Sequence, residues 1–158
     1  MNTIIEVKNP QNAIIDEKLN QTFIQLENLL IELRKRELPA HIIEFINDSI
    51  TVINTSPLIE KDLKILVFKR QTAILKLLQK ELKIVPKNHY QTLWMLFGFT
   101  AFGLPIGVAF GFLMDNMGLL GIGLPIGMGI GIVVGLLLDK KALKEGRQLD
   151  VVIKNLSF

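Results

Sequence analysis

The chain has 158 residues, 18 Lys and Arg against 15 Asp and Glu, no cysteine, and a mean hydropathy of +0.39. The missing cysteine excludes a disulfide framework and any thiolate site, and a net charge of +3 spread among mixed acids and bases is too small for a nucleic-acid surface. The length suits one ordinary domain, but of 12 glycines 11 lie between Gly98 and Gly135, and Asp115 is the only formal charge between Asn88 and Leu138.

Taken in order, the N-terminal "MNTIIEVKNPQNAIIDEK" has no basic stretch followed by an apolar one. It does not read as a signal peptide, and the first part of the chain is expected to stay on the side where it is made. Pro10, Pro39, Pro57 and Pro86 punctuate residues 1–88, each able to open a helix or end the one before it. The first helix is expected to bury Ile15, Leu19, Thr22, Leu26, Leu29 and Leu33, a heptad-like seam widened by Phe23 and Leu30. The second, from Ala40 to Asn54, places Ile42, Phe45, Ile46, Ile50 and Ile53 on one face. A third is expected to start with Ser56 as N-cap and Pro57 after it. It continues through Leu63, Val67, Ile74, Leu77 and Val85, with Arg70 and Glu81 near its seam. Residues 1–88 thus read as a cytosolic amphipathic helical domain, a bundle or coiled coil. The third helix is expected to run almost straight into the next segment, with Pro86 as the joint.

Residues 89–139 contain two apolar stretches, 93–114 and 117–138, of 22 residues each. At 1.5 Å per residue each measures about 33 Å, enough for a hydrocarbon core of about 30 Å. Two uncharged helices of that length have no polar face for water, so a transmembrane hairpin closed by a tight Asp115–Asn116 turn is expected. Tyr90 and Trp94 fall where amphipathic rings favour headgroups. Lys76, Lys80, Lys83 and Lys87 precede the spans, Lys140, Lys141, Lys144 and Arg147 follow them, and the turn has neither Lys nor Arg. The positive-inside rule therefore places both termini in the cytoplasm. Tyr90, Trp94, Lys87, Lys140 and Lys141 are the expected membrane-interface residues. Residues 140–158 read as a short basic cytosolic tail, whose "LDVVIKNLSF" suits either a strand or a membrane-surface segment.

The spans are internal copies: a shift of twenty residues superposes Gly98 on Gly118, Gly103–Gly107 on Gly123–Gly127, and Gly111 on Gly131. Gly103, Gly107 and Gly111 in one, and Gly123, Gly127, Gly131 and Gly135 in the other, recur every four residues as a stripe on one helix face. Acyl chains are as apolar as leucine, so helices associate in lipid by close backbone packing, which small residues permit. Pro105 and Pro125 each remove a backbone donor, and matched mid-membrane kinks are expected, with Pro105 level with Ile126. "GLPIGVAFG" and "GIGLPIGMGIGIVVG", followed by "DKKA", resemble the bacterial glycine-zipper family of small membrane proteins over about residues 93–146. The resemblance implies a packed, oligomeric membrane hairpin. The second helix is also similar to the glycine-rich helix of rotary-ATPase rotor subunits. That family needs a mid-membrane carboxylate, which is missing, since Asp115 and Asp139 stand at the ends.

His41 and His89 are the only histidines and lie far apart, without carboxylates at metal-ligand spacing. They read as a surface and an interfacial residue, Asp16–Glu17 and Glu60–Asp62 as helix starts, and Arg34–Glu37 as a solvated helix end. No catalytic residue, metal site or cofactor is expected. The expected fold is all-α, a cytosolic bundle of three helices followed by a two-helix transmembrane hairpin. The expected protein is a non-enzymatic scaffold of the bacterial inner membrane, partnered by the lipid bilayer, by copies of itself and by an unknown cytosolic protein. A pore gated by the cytosolic helices is the alternative.

Overall fold

The structure is a computed structural model that describes residues 3–8, 17–116, 118 and 120–153. It is all-α. Helices α1 (Glu17–Arg34), α2 (Ala40–Asn54) and α3 (Glu60–Leu82) precede α4 (His89–Phe97), a π-helical segment (Gly98–Gly103), α5 (Leu104–Leu113) and α6 (Leu120–Lys144). The chain forms two compact units, Met1–Pro86 with Leu149–Phe158, and Lys87–Gln148.

In the first unit α3 packs against both α1 and α2. Helix α1 buries Leu19, Phe23, Leu26, Leu29, Leu30 and Leu33, the three- and four-residue spacing of one helical face. Thr22, expected on that seam, is half-buried and returns its hydroxyl to the Lys18 carbonyl at 2.8 Å; Ile15 lies outside the described residues. Helix α2 buries Ile42, Ile46, Ile50 and Ile53, with Phe45 packed partly against the same core.

Helix α3 starts later than its proline suggested. Ser56 Oγ accepts the Leu58 N–H at 3.2 Å, closing a local turn, and the N-cap position falls to Ile59 (φ −126°). Its buried seam runs through Leu63, Val67, Gln71, Ile74, Leu75 and Leu78. The polar residue in that seam is therefore Gln71, 2 % exposed, not Arg70, which is half-buried one position away. Glu81 is exposed and meets His41 Nε2 at 2.5 Å. The helix stops at Leu82 because Lys83 takes the left-handed conformation (φ 56°). Asn88 repeats it (φ 60°), so no continuous helix passes through Pro86.

Three helices of this size bury a modest core, and two extended segments enlarge it. Ile4 near the N-terminus is buried against the same cluster as Leu149, Val151 and Ile153. Leu149 donates its N–H to the Val85 carbonyl at 2.9 Å. Asp150 and Val152 between the buried residues are exposed, the period-two alternation of extended chain. The residues read as one basic tail thus divide: Lys140–Lys144 complete α6, while 149–153 belong to the core of the first unit. Each fully buried aliphatic side chain contributes roughly 1.5–3 kcal/mol, which is why an apolar alternating stretch prefers this core to water.

In the second unit α4, the π segment and α5 form a continuous helical rod against which α6 packs. The connection between the arms is longer than the expected two residues: α5 ends at Leu113 and α6 begins at Leu120. Asn116 N–H bonds the Gly111 carbonyl at 3.0 Å, Asp115 is left-handed (φ 48°), and Asn116 Oδ1 accepts the Gly118 N–H at 3.0 Å. The arms supply two helices, His89–Leu113 and Gly121–Lys144, long and apolar enough to cross a membrane.

Candidate functional site

The two glycine series meet along the hairpin. Gly98, Gly103, Gly107 and Gly111 of the first arm and Gly123, Gly127, Gly131 and Gly135 of the second are all buried. A Cβ placed on Gly127 would stand 2.5 Å from Gly103 Cα, and one on Gly123 2.5 Å from Gly107 Cα. On Gly98 it would lie 2.9 Å from Gly131 Cα, on Gly131 2.8 Å from the Trp94 carbonyl carbon, and on Gly135 2.6 Å from the Tyr90 carbonyl oxygen. Every obstacle is backbone, which cannot rotate aside as a side chain can. The seam is thus backbone packed on backbone, and at Gly98, Gly123, Gly127, Gly131 and Gly135 a Cβ has no room unless the backbone moves. Gly121 and Gly129, by contrast, have nothing within 4 Å of such a Cβ.

Gly98 joins the seam although it stands five residues before Gly103 rather than four. Five residues of α-helix overshoot a full turn by about 140°, which would carry Gly98 off the face. The π-helical turn over Gly98–Gly103 takes up the extra residue, since its wider i→i+5 winding holds more residues per turn. Pro105 follows at the start of α5, where a widened turn leaves room for a ring that would otherwise strike the carbonyl four residues earlier.

The glycine contacts also set the register. Gly123 sits between Gly103 and Gly107, which brings Pro105 level with Gly123 rather than with Ile126. The expected register assumed a two-residue turn; the longer connection lets α6 slide until glycine meets glycine. Pro105 and Pro125 are both exposed, so it is the glycines of the two "GLPIG" copies that meet, while the prolines lie outside the seam. Thr100, also exposed, returns its hydroxyl to the Leu96 carbonyl at 3.1 Å.

A polar cap closes the seam beyond Gly135. Asp139 on α6 is 6 % exposed. Its carboxylate accepts the Tyr90 N–H at 3.2 Å and the Gln91 N–H at 2.9 Å, and the Gln148 side-chain amide donates to it at 3.3 Å. Tyr90 and Gln91 follow His89 in the first turn of α4, whose own N-cap, Asn88, makes no side-chain cap bond. A carboxylate on the opposite helix thus takes two of the amide donors that α4 leaves open and meets the positive end of its dipole. His89, read from sequence as interfacial, is 4 % exposed, its ring edge-on to Tyr90 at 5.1 Å. Arg147 Nε donates to Glu145 at 2.8 Å; this bond, with Tyr90 also nearby, holds the guanidinium above its ordinary pKa. Of the expected interface residues, Lys87, Lys140 and Lys141 are exposed, whereas Tyr90 and Trp94 are half-buried along the seam.

Two members of this arrangement were not singled out from sequence, Asp139 and Gly98. Asp139 could have been found by counting four residues beyond Gly135, whereas Gly98, five residues before Gly103 and paired in the repeat with the exposed Gly118, breaks the spacing that marks the stripe. Among the described residues no three His, Cys, Asp or Glu side chains gather where they could hold a metal ion. Comparison with family models, curated proteins and solved structures gives no match.

Proposed function

We propose that the second unit is a transmembrane hairpin zipped by its glycines, and that the protein is a non-enzymatic membrane organiser displaying the first unit on the cytoplasmic face of the bacterial inner membrane. The observation that carries the reading is the outer surface of the hairpin. Only 22 % of each apolar window is buried, whereas the core helix of a soluble protein would be mostly covered. Leu96, Phe97, Phe102, Leu104, Val108 and Phe112 on one arm, and Ile122, Ile126, Ile130, Val133 and Leu137 on the other, are exposed. A contiguous apolar surface of that extent needs a cover, and lipid is the cover that suits a helix with no polar face. The glycine-zipper family is the resemblance that fits this packing.

Residues on both sides of the hairpin, up to Pro86 and from Leu149, belong to the first unit. The two ends of the hairpin therefore share one side of the membrane, and the lysines flanking both arms favour the cytoplasmic side. The seam glycines are consumed within the chain, so the outward small residues Ala101, Pro105 and Ala109, with Gly121 and Pro125, all exposed, form the surface for a neighbouring copy in the oligomer. The scaffold is favoured over a pore because the hydroxyl of Thr100 is already bonded to its own helix, and a narrow apolar constriction closes by dewetting.

Two measurements test the reading. The protein should resist alkaline extraction from membranes, and liposomes holding the purified full chain should show no resting leak of ions or small dyes. Release into the alkaline supernatant would overturn the membrane reading, and a steady leak would replace the scaffold with the pore.

A further inference from the structure

Residues 3–8, "TIIEVK", carry almost no charge pattern or motif, yet three side chains of the first unit hold their backbone. Asn47 Nδ2 donates to the Thr3 carbonyl at 3.1 Å, and Asn47 Oδ1 accepts the Ile5 N–H at 3.0 Å. Asn54 repeats the arrangement three residues along the segment, donating to the Glu6 carbonyl at 3.0 Å and accepting the Lys8 N–H at 2.8 Å. Each amide side chain reads one carbonyl and one N–H two residues apart, as a neighbouring β-strand would.

The geometry is matched. Asn47 and Asn54 are seven residues apart on α2, two turns of helix or about 10.5 Å, and three residues of extended chain cover about 10 Å. Opposite them, Arg34 near the end of α1 donates to the Ile4 carbonyl at 3.3 Å and the Ile5 carbonyl at 2.9 Å. Arg34, read from sequence as part of a solvated helix end, is thus a third clamp. The arm presents Ile4, buried, and Val7, packed partly against the core, to the unit beneath, while Thr3, Ile5, Glu6 and Lys8 are exposed. Helices α1 and α2 each pack on α3 rather than on one another, and the arm is pinned between them.

Recognition of this kind reads backbone at six points and apolar side chains only at i and i+3. It is how a receptor holds an extended peptide, and the peptide here is part of the same chain. We propose that the α1–α2 cleft with Asn47, Asn54 and Arg34 is a peptide-binding site for an extended segment apolar at i and i+3, and that its ligand in the membrane is the arm of a second copy of this chain. Arm and cleft are self-complementary, so an exchanged arm restores in trans every contact that it gives up in cis, the condition under which exchange between copies costs least. The eight residues from 9 to 16 bound the reach at about 28 Å, so only a copy in direct contact qualifies. The proposal rests on the membrane reading solely for the crowding of copies that lets trans compete with the high effective concentration of the tethered arm.

The chain has no cysteine, which makes the test clean. One full-length protein carries Ile5→Cys in the arm, a second carries Thr51→Cys, which lies on α2 between the two asparagines, and a third carries both. A short bismaleimide should crosslink the double variant internally, which establishes that the pair is within range. After co-reconstitution in phosphatidylglycerol–phosphatidylethanolamine vesicles, the two single variants should yield a crosslinked dimer. That dimer should be lost when the Thr51→Cys partner also carries Asn47→Ala and Asn54→Ala, with its helical circular dichroism retained. It should also be lost when the arm carries Ile4→Asp. Internal crosslinking without any dimer at high protein-to-lipid ratio overturns the proposal, as does a dimer that survives removal of the asparagines. Mixing the single variants in detergent separates the two readings. A concentration-dependent dimer there, from a protein that alkaline extraction releases, would refute the hairpin reading and support the exchange.

Discussion

The change Gly127→Ala adds one methyl group to the second arm and tests the seam at its centre. The new Cβ would stand 2.5 Å from Gly103 Cα, with the Gly103 nitrogen and the Gly98 carbonyl oxygen also in its way. Carbon atoms rest about 3.5 Å apart or more, so the arms must part locally by about 1 Å. The obstacles are backbone of a continuous helix, and no rotamer relieves them. Overpacking of this kind costs about 1–3 kcal/mol, a shift of roughly five- to 150-fold in the folded-to-unfolded ratio. Gly129→Ala adds the same methyl where nothing lies within 4 Å, and its effect should stay within about 0.5 kcal/mol. Trp94, the only tryptophan, is half-buried in the arm beside Gly131, so its fluorescence serves as the probe of unfolding. Titrating purified protein in mixed micelles with dodecyl sulfate should lower the unfolding midpoint for Gly127→Ala and leave that of Gly129→Ala near wild type. Equal midpoints for the two variants would refute the backbone-on-backbone seam.

Asp139→Ala should lower the same midpoint by about 1–2 kcal/mol, the range for loss of a helix cap, and Asp139→Asn, which keeps an acceptor, should recover part of it. In the first unit, Gln71 Nε2 is buried without a hydrogen-bond partner among the described residues, so Gln71→Met should raise the thermal midpoint by an amount worth about 1 kcal/mol or more. Leu149→Ala empties a fully buried site and should cost about 2–5 kcal/mol, read as a fall in that same transition; an unchanged midpoint would detach the C-terminal segment from the core. A cysteine at Asn116 should react with a membrane-impermeant maleimide in intact cells while one at Lys61 does not, and the reverse pattern would invert the orientation.

Much of this was legible in the residues, for identifiable reasons. Helices α1 and α2 were readable because their aliphatic residues keep helical spacing, and Pro39 (φ −57°) marks the start of α2 through its fixed dihedral. The start of α3 is not legible because Ser56 has two local uses, capping a helix or closing a turn, and the following residues decide between them. Of the two polar residues expected near the seam of α3, Arg70 lies one position, about 100° of helix, from the buried Gln71, and Glu81 is exposed. The stripes could be read from spacing alone, but their register could not, because it depends on the length of the connection and on one extra residue absorbed by a π turn. The arm and the tail were least legible. Segments of five or six residues carry too short a pattern to declare a partner, and theirs lies in helices far away in sequence.

The placement of Leu149, Val151 and Ile153 in the first unit has a consequence for biosynthesis. A ribosome delivers α1 to α3 first and the residues that close their core only after the entire hairpin. With the hairpin in a bilayer, those closing residues reach the bundle only if the chain has crossed outward and returned. A hairpin that stalls after one crossing strands them on the far side, leaving Leu149's place in the bundle open and its apolar lining exposed to proteases. If the hairpin inserts as proposed, completion of the first unit's core reports correct insertion, with no separate sensor required.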